Sequence, residues 1–231
     1  MRTNKLYIPL GVLVLSVLVS FTSYSQDESF GRIQPLTKVI VKTNFRVPFS
    51  TSNIFFNENA QGVVQMSGSL NYSFAKNFYV GAGYDYTYFK LSEQQLNSSP
   101  NEQLDGKIQL QGFFGEMSYF YSLYDNVLFE ANIQIGQETI RSSSAKCSEM
   151  GISHTKRGLF WNPNINAYLL TEEAFSFFFS VGYRISTKGF EPKDVCETEF
   201  SGHDSDDYQG NYGSIHVGFG IGFSFIKPER N

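Results

Sequence analysis

The sequence predicts an all-β protein, an eight-stranded antiparallel up-and-down transmembrane β-barrel, and three observations predict it. Apolar and polar residues alternate with a period of two along most of the chain after Thr37, as in strands whose two faces meet different surroundings. Short and long connections between these segments also alternate, the arrangement of barrels with short turns at one membrane surface and long loops at the other. Finally, one face carries charges of both signs while the opposite face is dense in Phe and Tyr. Charges can neutralise one another inside a narrow barrel, whereas the aromatic face needs lipid.

Composition sets the frame. A chain of 231 residues has room for one domain and a short appendage. With 23 Phe, 14 Tyr and aromatics at 16%, the chain is unlike disordered sequences, which lack aromatics. Charged residues, at 17%, fall below the roughly 25% of soluble domains. The net charge of -4 leaves no basic footprint, so no nucleic-acid partner is expected.

The first element is a leader. Arg2 and Lys5 precede an apolar stretch at 10–19, and the small residues Ser23 and Ser25 stand before Gln26. This is the pattern of a secretory signal peptide over 1–25, cleaved after Ser25. Its apolar core is too short to span a bilayer of about 30 Å. No Cys follows it, which argues against a lipoprotein. Residues 26–36 are expected as a periplasmic N-terminal segment, 37–226 as the barrel and 227–231 as a periplasmic tail. Loss of Arg2 and Lys5 leaves 16 bases against 22 acids.

Eight strands follow. Val39, Val41, Phe45 and Val47 oppose Lys38, Lys42, Asn44 and Arg46 in the first; Val64, Met66, Leu70 and Tyr72 oppose Gln65, Ser67, Ser69 and Asn71 in the second. The third sets Phe78, Val80, Ala82, Tyr84, Tyr86 and Tyr88 against Gly81, Gly83, Asp85 and Thr87. In the fourth, Phe113, Met117, Tyr119 and Tyr121 oppose Gly112, Glu116, Ser118 and Ser122, with a slip of parity near Gly112 that reads as a bulge. The fifth runs through Val127, Phe129, Ala131, Ile133 and Ile135, the sixth through Trp161, Pro163, Ile165, Ala167 and Leu169, and the seventh through Phe177, Phe179, Val181, Tyr183 and Ile185. The eighth is the cleanest, with Ile215, Val217, Phe219, Ile221, Phe223 and Phe225 against His216, Gly218, Gly220, Gly222 and Ser224.

Turns are expected around 75–77, 124–126 and 171–173, and long loops at about 49–61, 92–106, 142–156 and 187–212. An even strand number puts both termini on the periplasmic side. Tyr84, Tyr86 and Tyr88 at the long-loop end, with Tyr119, Tyr121, Phe223 and Phe225 at the turn end, are candidates for two interfacial girdles. Lys42, Arg46, Asp85, Glu116, Glu130, Glu138 and Arg184 all take the polar parity. They are expected to form a lumen charge network, because unpaired charge buried there is costly. A soluble, lipocalin-like barrel with the faces reversed remains the minor alternative.

The closing strand Gly-Phe-Gly-Ile-Gly-Phe-Ser-Phe at 218–225, the leader ending before a Gln and the eight amphipathic strands together resemble the small outer-membrane β-barrel proteins of Bacteroidota. This is the OmpA/OmpX-like, "porin family" outer membrane β-barrel group, and the resemblance spans 37–226. It implies residence in the cell outer membrane of a Gram-negative bacterium and contact with outer-membrane lipids and lipopolysaccharide. It also implies insertion by the barrel-assembly machinery, which reads a terminal aromatic; here six residues follow Phe225.

Few residues suggest chemistry. There are three His. Ser214-Ile215-His216 invites comparison with lipid A deacylases, but the order of Ser and His is reversed and His216 has lumen parity, so it reads as a member of the polar interior. His154 and His203 fall in long loops. Neither a catalytic site nor a cofactor or metal site is expected. Seven acids, Glu191, Asp194, Glu197, Glu199, Asp204, Asp206 and Asp207, lie in the loop at 187–212; Asp204, Asp206 and Asp207 offer oxygen to Ca²⁺, but Gln209 stands where an EF-hand loop needs glycine. Cys147 and Cys196 lie in loops of the same rim and are a candidate disulfide. Phe55 and Phe56 are placed to fold over the barrel mouth or touch a partner. The expected role is structural or surface-interacting, through four long extracellular loops that meet an extracellular partner. A narrow passive pore is the alternative, and a lipid-modifying enzyme a lesser one.

Overall fold

A computed structural model describes residues 38–52, 56–57, 60–91, 106–124, 127–171, 175–196 and 211–224. The leader expected at 1–25, the segment expected at 26–36 and the tail expected at 227–231 lie outside the described residues, as do Phe55, Glu197, Glu199, His203, Asp204, Asp206, Asp207 and Phe225. The strands are β1 (Val39–Ser52), β2 (Ala60–Ala75), β3 (Phe78–Leu91), β4 (Gly106–Tyr124), β5 (Val127–Ser144), β6 (His154–Leu170), β7 (Phe175–Ser186) and β8 (Tyr212–Ser224). A short helix α1 (Ala145–Glu149) joins β5 to β6, and a 3₁₀ turn covers Pro192–Val195. Each strand pairs antiparallel with the next, and β8 closes on β1. The result is a closed eight-stranded barrel without free edges.

The outward face follows from the alternation. Phe113 is 74% exposed, Phe219 64% and Ile165 61%. They belong to a continuous band with Phe45, Leu70, Tyr72, Met117, Trp161, Phe177, Phe179 and Phe223. Water does not support an apolar surface of this extent, so it is the lipid-facing belt of a transmembrane barrel. Tyr72, Phe74 and Tyr121 lie at its short-turn end, and Tyr84 and Phe113 face each other toward the long-loop end. The turn between β2 and β3 is only Lys76-Asn77, with Asn77 at a φ of 66°, a conformation asparagine tolerates better than most residues.

Three features depart from the sequence reading. Register is unbroken through Gly112, which faces Asp85 on β3 and Glu138 on β5. There is no bulge at that position; the nearest shift in the ladder is between Ser122 and Tyr124. What inverts there is polarity. Ile108 and Leu110 point inward and are buried, while Lys107, Gln109 and Gln111 point outward. Strands of 16 to 19 residues on this side outreach the lipid, so their upper ends need a dry inside and a wet outside. Two loops are accordingly shorter than expected, because β1 and β2 reach Ser52 and Ala60, and β5 and β6 reach Ser144 and His154.

The interior is therefore layered rather than uniformly polar. Near the short turns lies an apolar cluster of Ile40, Tyr79, Phe120, Leu128, Tyr168 and Phe178. Polar and charged residues fill the middle. At the long-loop end a second cluster comprises Phe56, Ala60, Phe89, Leu91, Ile108, Leu110, Ile140, Phe190, Val195 and Tyr212. Inward glycines make space for the rings. A Cβ on Gly220 would stand 2.2 Å from Phe178 Cζ, and one on Gly136 would stand 2.8 Å from Phe160 Cε1. Pro163 lacks an N–H and interrupts the β6–β7 ladder, which pairs Trp161 with Ile185 and resumes at Asn164 with Gly182.

Candidate functional site

All seven of the lumen charges expected from the sequence are buried inside the barrel. Six of them form two triads. Lys42 of β1 bonds Glu116 of β4 and, at 2.6 Å, Glu130 of β5. Arg184 of β7 pairs with Asp85 of β3 and, at 2.7 Å, with Glu138 of β5, and its guanidinium lies 4.0 Å from the centre of the Phe160 ring. The carboxylates are satisfied further. Glu116 accepts from Gln134 at 2.7 Å and Ser118 at 3.0 Å. Glu130 accepts from Tyr168 at 2.6 Å and Asn166 at 2.8 Å, and Ser186 donates to Glu138. Buried ions tolerate the loss of water only when paired and bonded in this way.

Arg46 departs from the expected network. Its Nη1 lies 3.3 Å from His216 Nε2, which is 2.7 Å from Asn164 Oδ1, and no carboxylate among the described residues lies within ion-pair distance of it. His216 thus belongs to the polar interior, as its parity indicated. Tyr168, Asn166 and Gln134 were not singled out from the sequence, although their alternation with outward Ala167, Ile165 and Ile135 carries the signal.

Among the described residues the polar middle is bounded by apolar side chains. Apolar clusters cover it on both sides. A cavity beside Phe56, Ile108, Leu110, Ile140, Phe190 and Tyr212 measures about 10 Å³, about the space of one water. Phe56 is packed into the upper cluster. Its ring meets Tyr212 at 4.4 Å, Phe89 at 5.0 Å and Phe190 at 6.1 Å, all edge to face.

At the same rim Cys147 of α1 and Cys196 after the 3₁₀ turn are joined as a disulfide, with Cα atoms 5.3 Å apart. The segment so held buries Val195 and Phe190 in the upper cluster. Ser144 Oγ donates to the Val195 carbonyl at 2.8 Å, and Lys156 pairs with Asp194 at 2.7 Å and Glu191 at 3.5 Å. Lys193 bonds Glu191 and, with Lys156, holds its carboxyl below the usual carboxylate range. His154 is the first residue of β6 rather than a loop residue, and its Nε2 lies 3.6 Å from Cys196 Sγ.

Charge on the strands is sorted by face. The carboxylates Asp85, Glu116, Glu130 and Glu138 all point inward and are buried. The outward charges are all basic: Lys90, Lys107, Arg141 and Arg157, each exposed. Lys90 faces Lys107 directly across β3 and β4, Gln109 faces Arg141, and Thr139 faces Arg157. Four adjacent strands thus carry a basic belt just beyond the apolar band, on the long-loop side.

No family model and no curated protein matches this chain. Among solved structures it is similar to Neisserial surface protein A, with a TM-score of 0.49 and 12% identity over 83% of this chain and 100% of that one. It is also similar to Ail, the attachment invasion locus protein of Yersinia pestis, in complex with the heparin analogue sucrose octasulfate (TM-score 0.44, 11% identity, 80% of this chain and 97% of that one). A third similarity is to the N-terminal β-barrel domain of Pseudomonas aeruginosa OprF (TM-score 0.43, 10% identity, 83% of this chain and 100% of that one).

Proposed function

We propose that this chain is an outer-membrane barrel with a structural and surface-interaction role, its short turns in the periplasm and its long loops outside. The basic belt engages phosphorylated headgroups of the outer leaflet, lipopolysaccharide above all, and the loops above it are the surface offered to an extracellular partner. The sorting of charge by strand face carries this reading. Lys90, Lys107, Arg141 and Arg157 stand at the level where the apolar band ends, which is where lipid phosphates lie. Each base near an anionic membrane surface contributes about 1 kcal/mol, screened by salt.

The test is the stability of the barrel in vesicles containing phosphorylated or dephosphorylated lipid A. Phosphorylated lipid A is expected to raise the urea midpoint, less so at high salt, and the variant K90Q/K107Q/R141Q/R157Q to lose that gain. An equal gain with the dephosphorylated lipid, or in the variant, would overturn the reading. The polar middle of the lumen favours a second reading, a narrow passive pore. It requires displacement of the apolar clusters at both ends, and steady single-channel conductance in planar bilayers would establish it.

A further inference from the structure

We propose that the corner holding the Cys147–Cys196 bond has a second state. Once the bond is reduced, the two thiolates and His154 Nε2 hold a thiophilic divalent cation, with Zn²⁺ as the type. The three ligand atoms already converge: Cys147 Sγ, Cys196 Sγ and a His154 ring nitrogen lie within 4.8 Å of one another. They come from α1, from the first residue of β6 and from the residue after the 3₁₀ turn, the last of them 42 positions from His154 and 49 from Cys147.

The distances fit the chemistry. Zinc bonds of about 2.3 Å to sulfur and 2.0 Å to nitrogen in a tetrahedron place sulfur and nitrogen about 3.5 Å apart, and two sulfurs about 3.8 Å apart. Cys196 Sγ and His154 Nε2 already stand 3.6 Å apart. The two sulfurs have to separate, from bonding distance to about 3.8 Å. Cys147 Sγ, no more than 4.8 Å from the His154 ring nitrogen, has to settle at about 3.5 Å from it. A Cα separation of 5.3 Å accommodates that by rotation of the cysteine side chains. Cys147 is wholly buried while Cys196 and His154 are half-buried, so the fourth position opens toward solvent and takes water.

The steps balance. A phosphine reductant takes up oxygen from water to become its oxide while the S–S bond breaks, and the two protons of that water end on the two sulfurs. The cation then displaces both thiol protons to solvent with no change of oxidation state. Either link, covalent or metal, ties the segment at 192–196 to α1 and β6 and keeps Val195 in the upper apolar cluster. The rim would remain closed under reducing conditions wherever the cation is present.

The experiment uses the full chain refolded in detergent, reduced with a phosphine, desalted without oxygen and titrated with Co²⁺ and then Zn²⁺. One Co²⁺ per chain is expected, with a near-ultraviolet thiolate-to-cobalt charge-transfer band and strong visible bands of four-coordinate cobalt, both bleached by Zn²⁺. The oxidised protein is expected to show neither band, and His154→Ala to bind at least an order of magnitude more weakly. Reduced wild type alkylated at both cysteines, with its compact gel mobility retained, is expected to lose the site; this control needs no variant to fold. Absence of the charge-transfer band in the reduced protein, unchanged affinity in His154→Ala, or equal binding by the oxidised or alkylated protein would each overturn the proposal.

Discussion

Replacing Lys42 with methionine keeps most of the side-chain volume and removes the charge that holds two buried carboxylates together. In the native lumen Lys42 bonds both Glu116 and Glu130, and all three side chains are almost fully buried. Breaking a buried ion group by removing one partner costs about 3–5 kcal/mol, because the remaining charge is left uncompensated. The lower end of that range applies here. Glu116 keeps its bonds from Gln134 and Ser118, and Glu130 keeps those from Tyr168 and Asn166, so the loss is chiefly electrostatic. We expect Lys42→Met to lower unfolding free energy by about 3 kcal/mol, measured by urea titration in vesicles with compact gel mobility as the readout. The triple variant K42M/E116Q/E130Q leaves no net charge to strand and should return to within about 1 kcal/mol of wild type. A single variant that unfolds with the wild type, or a triple variant no more stable than the single, would refute the reasoning.

Three further outcomes follow from packing and from the rim. Gly220→Ala places a Cβ 2.2 Å from Phe178 Cζ and 2.4 Å from the Thr43 carbonyl oxygen and should destabilise by about 1–3 kcal/mol; Gly68→Ala, whose nearest contact is Lys42 O at 3.8 Å, should be close to neutral in the same titration. Reducing the Cys147–Cys196 bond in metal-free buffer opens a loop spanning 49 positions, which chain entropy values at no more than about 4 kcal/mol, and limited proteolysis should then cut within 187–196 before any strand. In the disulfide-bonded protein the Lys193 and Lys156 clasp on Glu191 holds its carboxyl below the value of 4.5 it has when free. The clasp contributes fully above that pH and is lost as pH falls through the lower, folded value, so the protection of amides 191–196, taken relative to the intrinsic exchange rate at each pH, should fall only in acid; a loss of protection near neutrality would assign the effect to another group.

How far the sequence was legible depends on what a period of two can say. Alternation shows that two faces differ, and it suffices to place Lys42, Arg46, Asp85, Glu116, Glu130, Glu138 and Arg184 on one side. It says nothing of partners, which depend on how far each strand is staggered against the next. Hence the pairing of Lys42 with Glu130 across the lumen, or of Arg46 with His216 rather than with an acid, was not readable. Nor does alternation reveal that the surroundings change along one strand. Ile108 and Leu110 share the parity of Glu116 and are apolar because the upper barrel has left the lipid. With the faces taken as fixed, that inversion looked like a bulge at Gly112. The disulfide was legible from loop order alone, whereas the approach of His154 to Cys196 depends on β6 starting earlier than its sequence pattern indicates.

The measurement that tests the central claim most directly uses Trp161, the one tryptophan in the chain. It points outward from β6, 52% exposed, beside Ile135 and Ile185 on the neighbouring strands. If the apolar face meets lipid around a filled lumen, fluorescence of the barrel in vesicles should be quenched strongly by phospholipids brominated on the acyl chains and hardly at all by aqueous iodide. Strong quenching by iodide with none from the brominated lipids would put this face in water and contradict the account.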